Sequence, residues 1–239
     1  MIRRGPFIVI EGPDGSGKST HAKELSLELS RVMDRPAILC PDPGGTPLGA
    51  SLRQVVLGSE LEINPVSELM IFNASRAQLI KSVVAPAVAE GKIVVMDRYA
   101  PSTIAYQGYG RGVDIDDCVK TCRTATGAYS PDVVVWLNVP LDVLRRRREE
   151  RATTDRMERD QNFLERVSSI YQHPQFRAAC AKVWEGTDGR EKPTEFEIDA
   201  AQPLWALRIQ ITAWVLGALC NRGWDLAPTP KAVGQVARP

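Results

Sequence analysis

Phe7-Ile8-Val9-Ile10-Glu11-Gly12-Pro13-Asp14-Gly15-Ser16-Gly17-Lys18-Ser19-Thr20 is the stretch on which the reading of this chain turns. Gly12 to Ser19 has the spacing G-x-x-x-x-G-K-S. The apolar run before it fits a strand buried on both faces, and the Lys/Glu/Leu/Ala-rich pattern from Lys18 to about Met33 fits a helix. Strand, glycine-rich loop and helix in that order make a P-loop. Backbone N–H groups of the loop and of the first helical turn surround an anion there, and the helix dipole adds about half a positive charge. Lys18 is then expected at the outer phosphates of a nucleotide, with the Ser19 hydroxyl on Mg²⁺. Gly12, Pro13, Asp14, Gly15, Ser16, Gly17, Lys18, Ser19 and Thr20 form the candidate nucleotide-binding loop.

Length and composition frame this motif. A chain of 239 residues can bury a sizeable core, and residues 1–227 are expected to form a single α/β domain, with 228–239 a disordered tail. Thirty basic against 29 acidic residues give a net charge of +1. That balance excludes a partner dominated by a nucleic-acid backbone but allows a small anion in a local basic pocket. The 5 cysteines include no C-x-x-C pair, and the two histidines, His21 and His173, are far apart. Neither a zinc site nor a disulfide framework is read, and a reducing, cytoplasmic setting is expected. Phe7–Ile10 is too short for a secretory signal. Trp205–Cys220 is interrupted by Arg208 and Gln210, so an amphipathic closing helix is expected in place of a membrane span.

Further along, Ala37–Cys40 reads as a second strand running into the loop Pro41–Pro47. In a doubly wound sheet, a loop at the carboxyl end of a strand faces the ligand crevice. Pro65 to roughly Ala89 reads as helix, with Phe72 and Arg76 on one face. Phe72 could serve the core, or its ring could stack a base beside a hydrogen-bonding Arg76. Ile93–Asp97 is a strand closing on an acid, as a magnesium-supporting Walker B strand does, although such an Asp can also cap a helix. Arg98 follows it, and Ser102, Tyr106 and Gln107 lie in a segment expected to be a helix entering a mobile loop. Ile115–Gly127 is a helix in which Cys118 and Cys122 are packing residues. Val133–Asn138 and Phe196–Asp199 are further strands, and Gln161–Trp184 reads as one long helix. The run Arg145-Arg146-Arg147-Arg148 followed by Arg151 and Arg156 covers every side of a helical turn, the expected form of an arginine-bearing lid at about 148–160.

Taken together, the P-loop, Asp42-Pro43-Gly44-Gly45-Thr46-Pro47, Phe72 with Arg76, Asp97-Arg98-Tyr99 with Ser102, and Ala105-Tyr106-Gln107-Gly108 resemble bacterial thymidylate kinase. The resemblance implies a three-layer α/β/α P-loop fold with a five-stranded parallel sheet and a lid, usually a homodimer. It implies Mg²⁺-dependent transfer from ATP to thymidine monophosphate (dTMP), giving the diphosphate. By that similarity Phe72 stacks on thymine and Arg76 hydrogen-bonds it. Arg53 and Arg98 hold the acceptor phosphate, Asp14 contacts the sugar 3′-hydroxyl, and Asp42, Ser102, Tyr106 and Gln107 complete the acceptor site. Ser19 and Asp97 serve the metal, and Lys18, Arg98, Asp14 and a lid arginine serve catalysis; Arg147, Arg148, Arg151 and Arg156 are the candidates for the last, with Arg151 and Arg156 favoured because they flank the expected hinge. Two departures stand out. Pro41 takes the place of an Arg usual in the family, removing a charge-assisted hydrogen bond of about 1.5–3 kcal/mol. Gly15 occupies a position where other members carry a catalytic Arg, which places this chain with the lid type.

Two rivals share the residue inventory. A nucleoside kinase needs a base near its acceptor hydroxyl, for which Asp14, Asp42 and Asp97 are available. A nucleotide switch would carry a guanine-reading Asn-Lys-x-Asp motif, which is absent.

Overall fold

The computed structural model describes residues 4–58, 60–127, 129–150, 156–157, 159–185 and 191–225. Five strands, β1 (Phe7–Glu11), β2 (Ala37–Pro41), β3 (Ile93–Asp97), β4 (Val133–Asn138) and β5 (Thr194–Asp199), form one parallel sheet in the order β2-β3-β1-β4-β5. The expected five-stranded parallel α/β fold is the one observed. Successive residues of β1 serve opposite layers: Phe7 and Val9 enter one core, Ile8 and Ile10 the other. β4 divides in the same way, Val134 and Trp136 against Val133, Val135 and Leu137. A strand covered on both faces must be apolar throughout, which is why these runs show no alternation.

The helices are α1 (Lys18–Met33), α2 (Pro47–Leu57), α3 (Pro65–Leu79), α4 (Ala85–Ala89), α5 (Ala100–Thr103), α6 (Ile115–Thr126), α7 (Leu141–Glu149), α8 (Gln161–Ile170), α9 (Pro174–Trp184) and α10 (Leu204–Asn221). Leu25 and Leu29 of α1 pack with Leu207, Ile211 and Val215 of α10 on one face of the sheet, and Leu69 of α3, Cys118 and Cys122 of α6 and Phe176 of α9 pack on the other. By length and composition alone α10 could cross a membrane; its buried ridge lies against α1 and the sheet as a closing helix should, but Leu204, Trp205, Ile209 and Trp214 are exposed on it, so the expected amphipathic pattern is not met.

Several expectations need correction. The stretch 65–89 is helical throughout but changes register: Ile80–Val84 is a π-turn in which the Ala85 N–H reaches back five residues to the Ile80 carbonyl. Pro86 has no N–H for the usual bond, and the wider turn lets the helix continue through it. The expected mobile loop after Ser102 is a second π-segment, Ile104–Gly110, and Ile104 to Gly108 are buried. The single helix expected over 161–184 is two. Pro174 starts α9, and His173 caps it by accepting from the Gln175 N–H at 3.3 Å. Helix α2 was not anticipated at all. Residues 228–239, expected as a tail, lie outside the described residues.

Candidate active site

In a parallel sheet every strand points its carboxyl end the same way, so β1, β2 and β3 deliver the P-loop, the Pro41–Gly45 loop and the Asp97–Arg98 turn to one crevice. That crevice is a cleft of about 1380 Å³. It exceeds the roughly 300–1000 Å³ of a site for one small ligand, so two nucleotides can share it. Lys18, Ser19, Asp42, Arg53, Phe72, Arg76, Asp97, Arg98, Ser102, Tyr106 and Gln107, all candidates from sequence, line it together with Asp14, Gly15, Gly17 and Thr20.

At the P-loop end, Gly15 and Gly17 both adopt φ +88°, which side-chain-bearing residues rarely reach, and a Cβ on Gly12 would lie 2.8 Å from the Leu137 carbonyl oxygen. The backbone can therefore curl round an anion only with glycine here. Lys18 is buried and its Nζ donates to the Pro13 carbonyl at 2.8 Å. Burial, reinforced by the nearby Arg98 charge, pushes the Lys18 ammonium down to about 8. Ser19 Oγ donates to Asp97 Oδ2 at 2.5 Å, while Asp97 Oδ1 is buried and takes no hydrogen bond among the described residues. An orphaned carboxylate oxygen beside a hydroxyl is a hard-oxygen pair, the kind Mg²⁺ uses when phosphates and water complete its shell.

The other end is built around arginines. Arg98 donates from Nη1 to Ser102 Oγ (3.0 Å) and from Nη2 to the Tyr106 hydroxyl (3.2 Å) and to Asp14 Oδ1. Tyr106 in turn donates to Asp14 Oδ2 at 2.6 Å. Burial alone would raise the Asp14 carboxyl, but Arg98 and Lys18 hold it well below the usual carboxylate range. Arg98 itself sits at φ +73°, unusual for a non-glycine residue. Glu11, fully buried at the end of β1, accepts from the Tyr99 N–H (2.7 Å), the Ser102 N–H (3.3 Å) and the Ser102 hydroxyl (2.8 Å). It thereby caps α5 from another strand and fixes the turn that aims Arg98.

Phe72 is half-buried and lines the cleft, so its ring is available to a ligand as well as to its helix. Arg76 is pinned: Nε donates to Asp42 Oδ2 (2.6 Å), Nη1 to Asn73 Oδ1 and Thr103 Oγ1 (both 2.9 Å), and Nη2 to the Tyr99 carbonyl (3.2 Å). Of its five N–H donors, one on Nη2 is left to offer the cleft. Asp42 thus meets the site through Arg76, and burial raises its carboxyl. Arg53 is exposed at the cleft and donates to the Pro43 carbonyl at 3.1 Å.

Arg151 lies outside the described residues. Arg156 is held by Glu68 and by the Val56 carbonyl (2.8 Å) and is not among the residues lining the cleft. Sequence reasoning passed over Glu11, Glu68 and Met157, whose partners lie far away in the chain. It also gave no precedence to Arg147 and Arg148. Arg147 lines the cleft and donates to the Gly15 carbonyl at 3.3 Å. Arg148 is buried, none of its guanidinium nitrogens makes a hydrogen bond among the described residues, and its Cγ would lie 3.6 Å from a Cβ on Gly15.

Comparison with known proteins bears directly on this geometry. A family model described as thymidylate kinase matches residues 10–180, which contain the P-loop, the Asp97–Arg98 turn and the arginine run. The chain belongs to the thymidylate kinase family. It is 41% identical over 210 residues to a thymidylate kinase of Thermosynechococcus vestitus, covering 83% of this chain and 82% of that protein. It is 42% identical over 162 residues to one of Chlorobium luteolum (64% and 75%), and 39% identical over 167 residues to one of Deinococcus radiodurans (70% and 81%).

Proposed function

We propose that the chain transfers the γ-phosphoryl group of ATP to dTMP, with Mg²⁺, and that the candidate residues act in one cleft. The observation that carries this reading is the arrangement of the cleft itself, with a P-loop at one end and the Arg98–Asp14–Tyr106 cluster, Phe72 and the pinned Arg76 at the other. A phosphomonoester oxygen is already largely ionised at pH 7, since its second pKa is about 6, so no strong general base is needed. The protein's task is to align two anions that repel and to stabilise charge spreading over the transferred group.

Lys18 and the P-loop amides hold the donor phosphates. Ser19 and the free oxygen of Asp97 hold Mg²⁺, which supplies charge neutralisation when bound. Arg98, assisted by Arg53, holds the acceptor phosphate where Pro41 supplies no charge. Asp14, ionised and ringed by donors, is suited to the sugar hydroxyl, and Tyr106 and Ser102 keep Arg98 in place. Phe72 and the free N–H of Arg76 receive the base. For the arginine that the family draws from the lid, two described residues stand beside Arg151: Arg147, which lines the cleft against the Gly15 carbonyl, and Arg148, which does not line the cleft but is a buried guanidinium without hydrogen bonds among the described residues, lying against Gly15, where a P-loop arginine would otherwise stand. Exposed Leu48, Val55, Val66 and Met70 on α2 and α3 support a homodimer through that face. The four buried, unpaired thiols and the exposed Cys220, all free, agree with a reducing cytoplasm.

The test is to incubate the protein with [γ-³²P]ATP, Mg²⁺ and dTMP and to follow the label. Labelled thymidine diphosphate formed in step with ADP is the expected result. ADP and free phosphate without a labelled nucleotide would overturn the assignment in favour of a nucleotide switch.

A further inference from the structure

Glu68 is a buried acid with three side-chain partners outside the phosphate sites. It lies on α3 one turn before Phe72 and is 1% exposed. Its Oε1 accepts from Gln107 Nε2 at 2.9 Å and from Arg111 Nε at 3.4 Å, and its Oε2 accepts from Arg156 Nη2. Arg156 is fixed in turn by its Nε on the Val56 carbonyl (2.8 Å) and its backbone N–H on the Leu57 carbonyl (3.2 Å). Two arginines therefore flank one buried carboxylate and hold it in place, and that carboxylate grips a side chain of the cleft wall, Gln107.

The grip has a chemical consequence. With an arginine N–H on each of its oxygens, Glu68 meets its neighbours as an acceptor, and so dictates which end of the Gln107 amide faces it. The nitrogen is turned to Glu68, and the carbonyl oxygen Oε1, which receives no hydrogen bond among the described residues, is left as the free acceptor of a residue that lines the cleft. We propose that Glu68 and Arg156 are positioning residues for acceptor choice: together they lock Gln107 so that it presents an acceptor to the base, favouring a pyrimidine whose ring N3 carries a proton over one whose N3 is itself an acceptor. Arg156 on this view works through Glu68 and Gln107, without touching the transferring phosphate. The inference rests on the acceptor assignment given above and adds to it the device that sets base class.

The test compares dTMP with deoxycytidine monophosphate as acceptors, at saturating MgATP, for the wild type, Glu68→Gln, Arg156→Lys and Gln107→Met, and for the Glu68→Gln/Gln107→Met double variant. Glu68→Gln gives Gln107 a partner that can donate or accept, so the amide can invert. The ratio of kcat/KM for the two acceptors is expected to fall about tenfold or more, because a polar site loses its means of rejecting the wrong hydrogen-bonding pattern. The KM for ATP should stay within about twofold, as expected when donor binding is untouched. Arg156→Lys should shift the ratio the same way but less, and the double variant should be no worse than Gln107→Met alone, since the residues act in series. A merely structural role for Glu68 would lower stability and leave the ratio unmoved. An unchanged ratio in both Glu68→Gln and Arg156→Lys overturns the proposal, as does an Arg156→Lys variant whose only defect is in kcat and the KM for ATP. Those outcomes leave the functional assignment standing, whereas a wild type that phosphorylates neither acceptor removes both.

Discussion

Replacing Arg98 with Ala is the sharpest perturbation of the proposed site. The guanidinium bonds Asp14, Ser102 and Tyr106 and also reaches the Gly12 carbonyl at 3.3 Å, so it joins the donor loop to the acceptor side. Each hydrogen bond from such a group to a phosphate is worth about 1.5–3 kcal/mol, and the guanidinium can make two when its Nε–H is joined by the Nη1–H released from the Gly12 carbonyl. The substitution should therefore remove about 3–6 kcal/mol from the transition state, a fall of about 10²- to 10⁴-fold in kcat/KM for dTMP. ATP affinity should change much less, because Lys18 and the loop amides remain. The fold should survive: Ala at φ +73° carries the same left-handed backbone penalty as Arg, and Asp14 keeps Lys18 at 3.9 Å as a charge partner. Arg98→Gly, which relieves that penalty, should be as inactive as Arg98→Ala and at least as stable. Steady-state kinetics with each substrate varied, alongside thermal melts, separates these effects. An Arg98→Ala protein with acceptor kcat/KM within about threefold of wild type would refute the assignment of Arg98 to the acceptor phosphate.

Lys18 sets a pH expectation. Its charge is half lost near pH 8 without ligand, because burial and Arg98 disfavour the ammonium, whereas polyphosphate oxygens favour it. ATP binding at pH 8–9 should thus take up a proton, and calorimetric heats should vary with the ionisation enthalpy of the buffer. Buffer-independent heats at pH 9 would contradict this. The same lowered value makes charged Lys18 a cost to the fold, so stability should rise as pH increases from about 8 towards the unfolded-state value near 10.4. Phe72→Ala should raise the KM for dTMP about tenfold, in line with loss of an aromatic contact of about 1–1.5 kcal/mol, with the KM for ATP unchanged; equal effects on both substrates would place the ring elsewhere. Asp97→Asn should raise the Mg²⁺ concentration for half-maximal rate while Mg²⁺-free nucleotide binding is kept, and a titration that superimposes on wild type would remove Asp97 from the metal site.

How much was legible in the sequence depended on how local the signal was. The strand–loop–helix of the P-loop and the strands covered on both faces announced themselves, because their geometry is dictated by neighbours in the chain. Helix α2 did not: only Gly49 and Val56 of it are buried, so no apolar period runs through it. Its start was written nonetheless in Thr46, whose side chain accepts from the Gly49 N–H, and in Pro47 at the first helical position. Pro174 was likewise a readable boundary between α8 and α9. The spacing of Phe72 and Arg76 put them on one face but could not say whether that face met the core or the cleft. The fold decides it by pinning Arg76 through Asp42, 34 positions away. Glu11, Glu68 and Arg156 gain their roles only from long-range packing, and a charged residue in isolation looks the same whether it is solvated or serves as a buried anchor.

The claim that a single cleft holds donor and acceptor phosphate to phosphate is tested most directly by titrating the protein calorimetrically with adenosine and thymidine joined 5′ to 5′ through a pentaphosphate, in the presence of Mg²⁺. One molecule should bind per chain, more tightly than either nucleotide alone, because joining them removes one association cost, and both ATP and dTMP should compete with it. Two molecules per chain, or binding that one of the two nucleotides leaves unaffected, would contradict the account.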